Sequence, residues 1–250
     1  MNNNLVQYIY GIADNSLILG QRIGELCGHG PSLETDIAMT NISLDLLGQV
    51  RSYYQYVAKL IGNDATEDTI AFLRKEREYK NVLLVEQPNQ DFAYSISRQF
   101  LFDIFHLLLL EQLQNSSDAI LSAIAKKSIK EVSYHTRFSS DWIRRLGDGT
   151  EESHNRIQEA INHLWAFTDE LFHQTDADIT MVAEGIGVDV TKLKDSFYKK
   201  VSAILLESTL QTPKLHYFQK GGKQGIHSEH MGYLLADLQY MQRTYPNMNW

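Results

Sequence analysis

The stretch Lys130 to Asp141, KEVSYHTRFSSD, has the outline of a metal-binding helix from which one carboxylate is missing. Where helices of a bundle hold two irons between them, a Glu and a His three residues later project inward together, because three residues make nearly one helical turn. Here Val132 stands in that Glu position ahead of His135. The nearest carboxylate is Glu131, four residues back, a spacing that still shares a helix face and occurs in zinc helices. Spacing alone therefore leaves a metal open, and the other helices must supply or withhold the remaining ligands.

Four further segments carry candidate donors. Asp103 and His106 form an Asp-x-x-His inside an apolar stretch, where an ionisable pair must be hydrogen-bonded or metal-bound. The bland alternative is a pair satisfied by neighbours such as Arg98 or a facing tyrosine. Glu170 and His173 make a complete Glu-x-x-His, but polar QTDAD follows it, so bulk solvent is the expected neighbour. Glu25 either projects inward or faces water. In GIHSEH, His227, Glu229 and His230 flank a helix start for which Ser228 is the expected cap. The preceding loop, Lys220 to Gly225, offers flexible backbone amides and two lysines, an arrangement able to hold a phosphate or to be an ordinary turn. No GxGxxG, P-loop, Gly-x-Ser-x-Gly or Cys-x-x-Cys pattern occurs.

The elements that must position these residues are helical. The four prolines, Pro31, Pro88, Pro213 and Pro246, each fall where a helical pattern stops. Between them the pattern predicts helices over about 5–27, 33–61, 67–84, 91–114, 118–146, 151–174, 192–211 and 229–244. Ser32 with Glu34 and Asp36 reads as a cap and acidic first turn, and Gly62-Asn63 as the end of that helix. FAYSISRQFLFDIFHLLLL is apolar nearly all round and belongs at the centre of a bundle. No repeat or linker divides the chain, so residues 1–250 are expected to form one domain.

At 250 residues and 43% hydrophobic content the chain can bury a sizeable core. Its net charge of -8 argues against nucleic acid and against an anionic membrane, both of which need clustered Lys and Arg. The single cysteine, Cys27, fits a reducing compartment, and beside Leu26 it is expected to be buried. The N-terminus lacks a signal-peptide pattern and the longest apolar stretch is too short to span a bilayer, so the expected location is cytoplasmic.

Several long segments carry a resemblance: ELCGHGPSLETDIAMTNISLDLLGQ, LLVEQPN, KEVSYHTRFSSDWIRRLGDGT, and GGKQGIHSEHMGYLLADLQYMQR closing on Trp250. Together they resemble the C-subunit family of bacterial phenylacetyl-coenzyme A epoxidases over essentially the whole chain. The resemblance implies an all-α, ferritin-like helical bundle within a multicomponent oxygenase that adds one oxygen of O₂ to the aromatic ring of a coenzyme A thioester. It implies further subunits, a reductase, substrate met through the complex, and a di-iron cofactor in the homologous catalytic A subunit. Laid on that subunit's motifs, Asp45-Leu46-Leu47-Gly48-Gln49 replaces an Asp-Glu-x-x-His helix and Val132 and His135 replace the second Glu-x-x-His. The single-carboxylate positions correspond to Asp103 and Glu25. The resemblance thus implies a degenerate site at Glu25, Leu46, Gln49, Asp103, Val132 and His135, with no metal, no other cofactor and no catalysis on this chain. The alternative is an atypical iron-dependent oxygenase using Glu25, Asp103, His106 and His135, and a ferritin-type iron store is a more distant one.

Overall fold

The computed structural model describes residues 3–215, 217–246 and 248; Trp250 lies outside them. Ten α-helices are present among the described residues and no strand is: α1 (Asn3–Gly24), α2 (Leu33–Ile61), α3 (Glu67–Phe72), α4 (Leu83–Glu86), α5 (Phe92–Leu113), α6 (Ala119–Gly147), α7 (Glu151–Leu164), α8 (Asp176–Ala183), α9 (Lys194–Glu207) and α10 (Glu229–Thr244). The long helices α1, α2, α5 and α6 form a ferritin-like bundle. Cross-helix pairs fix their antiparallel order: Tyr54 meets Asp14 while Gly20 lies against Leu46, Glu131 meets Gln49 while His135 meets Asp45, and Asp103 meets Ser139 while Gln114 meets Ser122.

Local chemistry sets the ends. The Ser32 hydroxyl accepts from Thr35 N to start α2, and Gly62, with φ 68°, ends it. Thr150 caps α7 in the same way through Ser153 N. In α5, 18 of 22 residues are buried, which makes it the central helix as its all-round apolarity requires. The buried apolar side chains form one contiguous core. No helix among the described residues is long and apolar enough to cross a membrane.

Two of the expected helices end early. The helix expected over 67–84 stops at Phe72, and the one over 151–174 gives way to 3-10 turns after Leu164. In the first, amides that a helix would bond to carbonyls four residues back go to distant side chains instead: Lys80 N to Asp14 Oδ2 (2.7 Å), Val82 N to Asn15 Oδ1 (2.8 Å) and Leu83 N to Glu170 Oε2 (2.7 Å). In the second, the Thr168 hydroxyl turns back to Trp165 O, and Glu170 is drawn into the interior. Residues 175–183, which no expected helix covered, form α8 behind a capping box of Thr175 and Asp178. Cys27, expected inside, is exposed, because α1 has already ended and Gly28 turns the chain outward at φ 84°.

Asp14 is the hub of this end of the bundle. Fully buried, it accepts from Tyr54 OH (2.5 Å), from both terminal nitrogens of Arg74 (2.6 and 3.0 Å) and from Lys80 N. The Arg74 guanidinium also stacks over the rings of Tyr10 and Tyr79 at 4.3 and 4.1 Å. Asp14→Ala leaves a buried cation unpaired, and should cost about 3 to 5 kcal/mol of unfolding free energy in urea titrations. A loss below about 1 kcal/mol would show that the hub does not hold the break after α3.

Candidate functional site

The bundle interior between α2, α5 and α6 holds the positions of the degenerate ligand set, with one exception. Leu46, Val132, Asp103 and His135 are all fully buried, and Gln49 nearly so. Glu25 is not among them. It lies beyond the end of α1, exposed, with its carboxylate on Arg22 Nη1 (3.1 Å) and Asn89 Nδ2 (3.2 Å). The α1 residue against Leu46 is Gly20, where an added Cβ would come within 3.4 Å of the Leu46 Cβ. Glu25 is one and a half turns too far along to reach the interior.

Asp103 is met by two donors that motif spacing did not single out. Gln99 Nε2, one turn earlier on α5, donates to Oδ1 (2.5 Å), and the Ser139 hydroxyl of α6 donates to Oδ2 (2.8 Å). Their signals are the four-residue spacings Gln99 to Asp103 and His135 to Ser139. Arg98 and the tyrosines play no part. The Arg98 guanidinium, also fully buried, donates to Gln87 O and to Asn89 Oδ1 (2.7 Å), bracing the LLVEQPN turn. Burial holds the Asp103 carboxyl well above the usual carboxylate range and outweighs the two hydrogen bonds that favour the charged form.

His135 turns away from Asp103. Its Nε2 donates to Asp45 Oδ2 at 3.1 Å, towards a half-exposed carboxylate at the rim of the bundle, while its Nδ1 is buried without a partner. Burial lowers its pKa more strongly than Asp45 raises it, which keeps the ring neutral at pH 7. Glu131 accepts from Gln49 Nε2 at 3.0 Å, so the carboxylate four residues before His135 serves an amide and not a shared ligand set. His106, one turn beyond Asp103, has neither ring nitrogen partnered and packs against the Phe102 ring at 5.2 Å. Burial first, and then the nearby His135, push its pKa down to about 3.

The other two motifs resolve into each other. Glu170, expected in solvent, is buried and accepts from Leu83 N and from Gly221 N (both 2.7 Å); His173 is exposed as expected. The Gly-rich loop therefore does cradle an anion, and the anion is the chain's own Glu170. Lys223 Nζ donates to the carbonyls of Leu171 and His173, leaving Lys220 as the loop's exposed cation. In GIHSEH, the Ser228 hydroxyl donates to Glu86 and does not cap α10; His227 Nδ1 reaches the same fully buried carboxylate at 2.8 Å.

A family model described as "Phenylacetic acid catabolic protein" matches residues 1–250. The chain belongs to this family. A relative in Escherichia coli (strain K12), named as the C subunit of 1,2-phenylacetyl-CoA epoxidase, is 48% identical over 248 residues, covering 99% of this chain and 100% of the relative. The likeness read from the long sequence segments is thus one of the whole chain.

The donor set does not fit the di-iron centre that bundles of this kind can hold. Such a centre takes four carboxylates and two histidines projecting inward. Here Leu46 and Val132 present aliphatic groups, Gln49 an amide, Asp103 has both oxygens engaged, His135 faces Asp45, and Glu25 is outside. Among the described residues no group of three or more His, Cys, Asp or Glu side chains could hold a metal ion. Nor do Glu25, Asp103, His106 and His135 converge on a point.

The pH dependence of stability reports the buried histidine. Its folded pKa of about 3 lies below the ordinary 6.5, so its neutral form is favoured in the fold and stability is lost as pH falls below 6.5. Relative to His106→Phe, the wild type should lose about 1.4 kcal/mol per pH unit between roughly pH 6 and 4. Taking the difference between the two proteins cancels the opposing contribution of Asp103, whose raised pKa favours the folded state in acid. Parallel stability curves in urea would show that His106 is hydrated or partnered.

Proposed function

We propose that the chain is a non-catalytic structural subunit of a cytoplasmic, multicomponent phenylacetyl-coenzyme A epoxidase acting in aerobic phenylacetate degradation. It would support a homologous A subunit that carries the di-iron centre, alongside further epoxidase subunits and a reductase, and would meet the substrate only through the complex. The observation that carries this reading is the interior of the bundle: aliphatic Leu46 and Val132 fill two ligand positions, and Asp103 is closed off by Gln99 and Ser139. Aliphatic replacements remove the cost of burying charge, so the bundle can fold without metal as a rigid body for its partner. Close homology to the Escherichia coli epoxidase protein supports the assignment to that complex.

The test uses the assembled enzyme. Purified chain should hold no stoichiometric iron after anaerobic reconstitution, and co-expression with the A subunit should give one complex on sizing. Asp103→Asn should cost about 1 to 3 kcal/mol in stability if a buried donor loses its acceptor, and His135→Gln a similar amount. Turnover per intact, iron-loaded complex should be unchanged in both. Two tightly held irons on this chain, or a fall of about a hundredfold in turnover, would mean that the chain takes part in the chemistry.

A further inference from the structure

Residues 217–228, between α9 and α10, form a strap with a 3-10 turn at Gly222–Gln224 and no other regular structure. The strap lies hard against residues 76–83: a Cβ on Gly222 would collide with Asn81 O, and one on Gly225 with Arg77 O. Its Lys223 and Gln224 form one wall of a cavity of about 520 Å³, whose other walls include Tyr8 and Gly11 of α1, Phe105 of α5 and Asp176 of α8. The near end of the strap is tied through Gln219 N to Ala166 O (2.7 Å), a bond that no change of protonation touches.

The far end is fastened by His227, whose side chain is fully buried. Its Nδ1 faces Glu86 Oε1 at 2.8 Å and its Nε2 faces Tyr79 O at 3.1 Å. A carbonyl oxygen only accepts, so Nε2 carries a proton. Both oxygens of Glu86 are already met by fixed N–H donors, Asn81 Nδ2 on Oε1 (3.1 Å) and Ser228 N on Oε2 (2.9 Å), and a carboxylate so placed accepts from Nδ1 as well. Both ring nitrogens therefore donate, which only the imidazolium can do. A neutral ring would set a lone pair against one of two buried acceptors. We infer that His227 is a proton-operated latch: protonated, it ties the strap to Glu86 and Tyr79, and neutral, it lets the strap lift from residues 76–83 and open that wall of the cavity.

The groups around the ring act in the required direction. Burial opposes the cation, but the hydrogen bond and charge of Glu86 on α4, the Tyr79 carbonyl and the charge of Glu76 together outweigh it and hold the pKa above the ordinary 6.5. From α1, Arg22 donates through Nε to the Glu86 carbonyl (3.1 Å), and its own charge is met by Glu25. On α10, Glu229 is exposed and His230 gives its carbonyl to Arg22 (3.2 Å). A raised pKa means that the latch is fully closed below pH 6.5 and is lost as pH rises through the folded value. Lys223, elsewhere on the strap, has its pKa lowered by burial, so its titration favours the fold as pH rises and cannot imitate the effect.

Imidazole-nitrogen NMR and amide hydrogen exchange of the purified chain, from about pH 6 to 10, test it. His227 should show two N–H groups at pH 7 and a titration midpoint above 6.5. The amides of Gly225, Ile226 and Ser228, bonded to Gly222 O, Gly221 O and Glu86, should lose protection about tenfold per pH unit from 6.5 to that midpoint and then level off. The amides of α5 should keep theirs over the same range. His227→Gln, compared at the same pH values, should exchange without this dependence. A single N–H on His227 at pH 7, a midpoint at or below 6.5, or strap protection independent of pH would each overturn the latch. So would loss of α5 protection in step with the strap, or the same pH dependence in His227→Gln.

Discussion

A carboxylate taken out of water costs several kcal/mol unless donors meet its oxygens, and this condition organises the protein. Three carboxylates, Asp14, Glu86 and Glu170, are buried to 3% exposure or less, and each is satisfied largely by groups far away in sequence. Asp14 gathers Arg74, Tyr54 and the Lys80 amide; Glu170 gathers the amides of Leu83 and Gly221; Glu86 gathers His227 and Ser228. Residues 73–89 and the arm from 217 to 228 have little regular structure of their own. They are held in place because their backbone and side-chain donors are the ones that these anions require.

The same condition governs the centre of the bundle. Asp103, the fourth buried carboxylate, has two neutral donors and no cation, and it meets the condition by keeping its proton. His135 and His106 lie beyond it in an environment that favours neutral rings. A metal would have supplied the positive charge that the two aliphatic replacements make unnecessary. These polar groups are fitted to a low-dielectric core by their protonation.

Surface and interior are linked through α2 and α6. The inward edges of these helices carry Leu46, Gln49, Val132 and His135, and the outward edges carry the Leu44, Tyr134 and Lys127 side chains. The Asp45–His135 bond joins the two. A pair of helices whose inner faces carry Leu46, Gln49 and Val132 is still a well-defined platform outside, because helix register is fixed by packing and by such cross-links and not by ions alone.

Part of this was legible in the sequence. Proline positions, capping residues and the 3.6-residue period gave the four long helices, and the all-round apolarity of 92–113 gave the central one. Val132 could be read from its spacing to His135 on a single helix, and Leu46 and Gln49 from the motif of the family that the chain resembles. The rest depended on what each helix face meets, which spacing does not encode. Nothing local distinguishes Glu170, which is buried under a glycine-rich loop, from an exposed helix-end acid, or Glu25, which faces Arg22 and Asn89, from an inward ligand. The breaks after Phe72 and Leu164 were likewise hidden. After Phe72, amides leave the helical pattern because distant, desolvated acceptors outcompete the carbonyl four residues back, and only the tertiary structure brings Asp14, Asn15 and Glu170 to them.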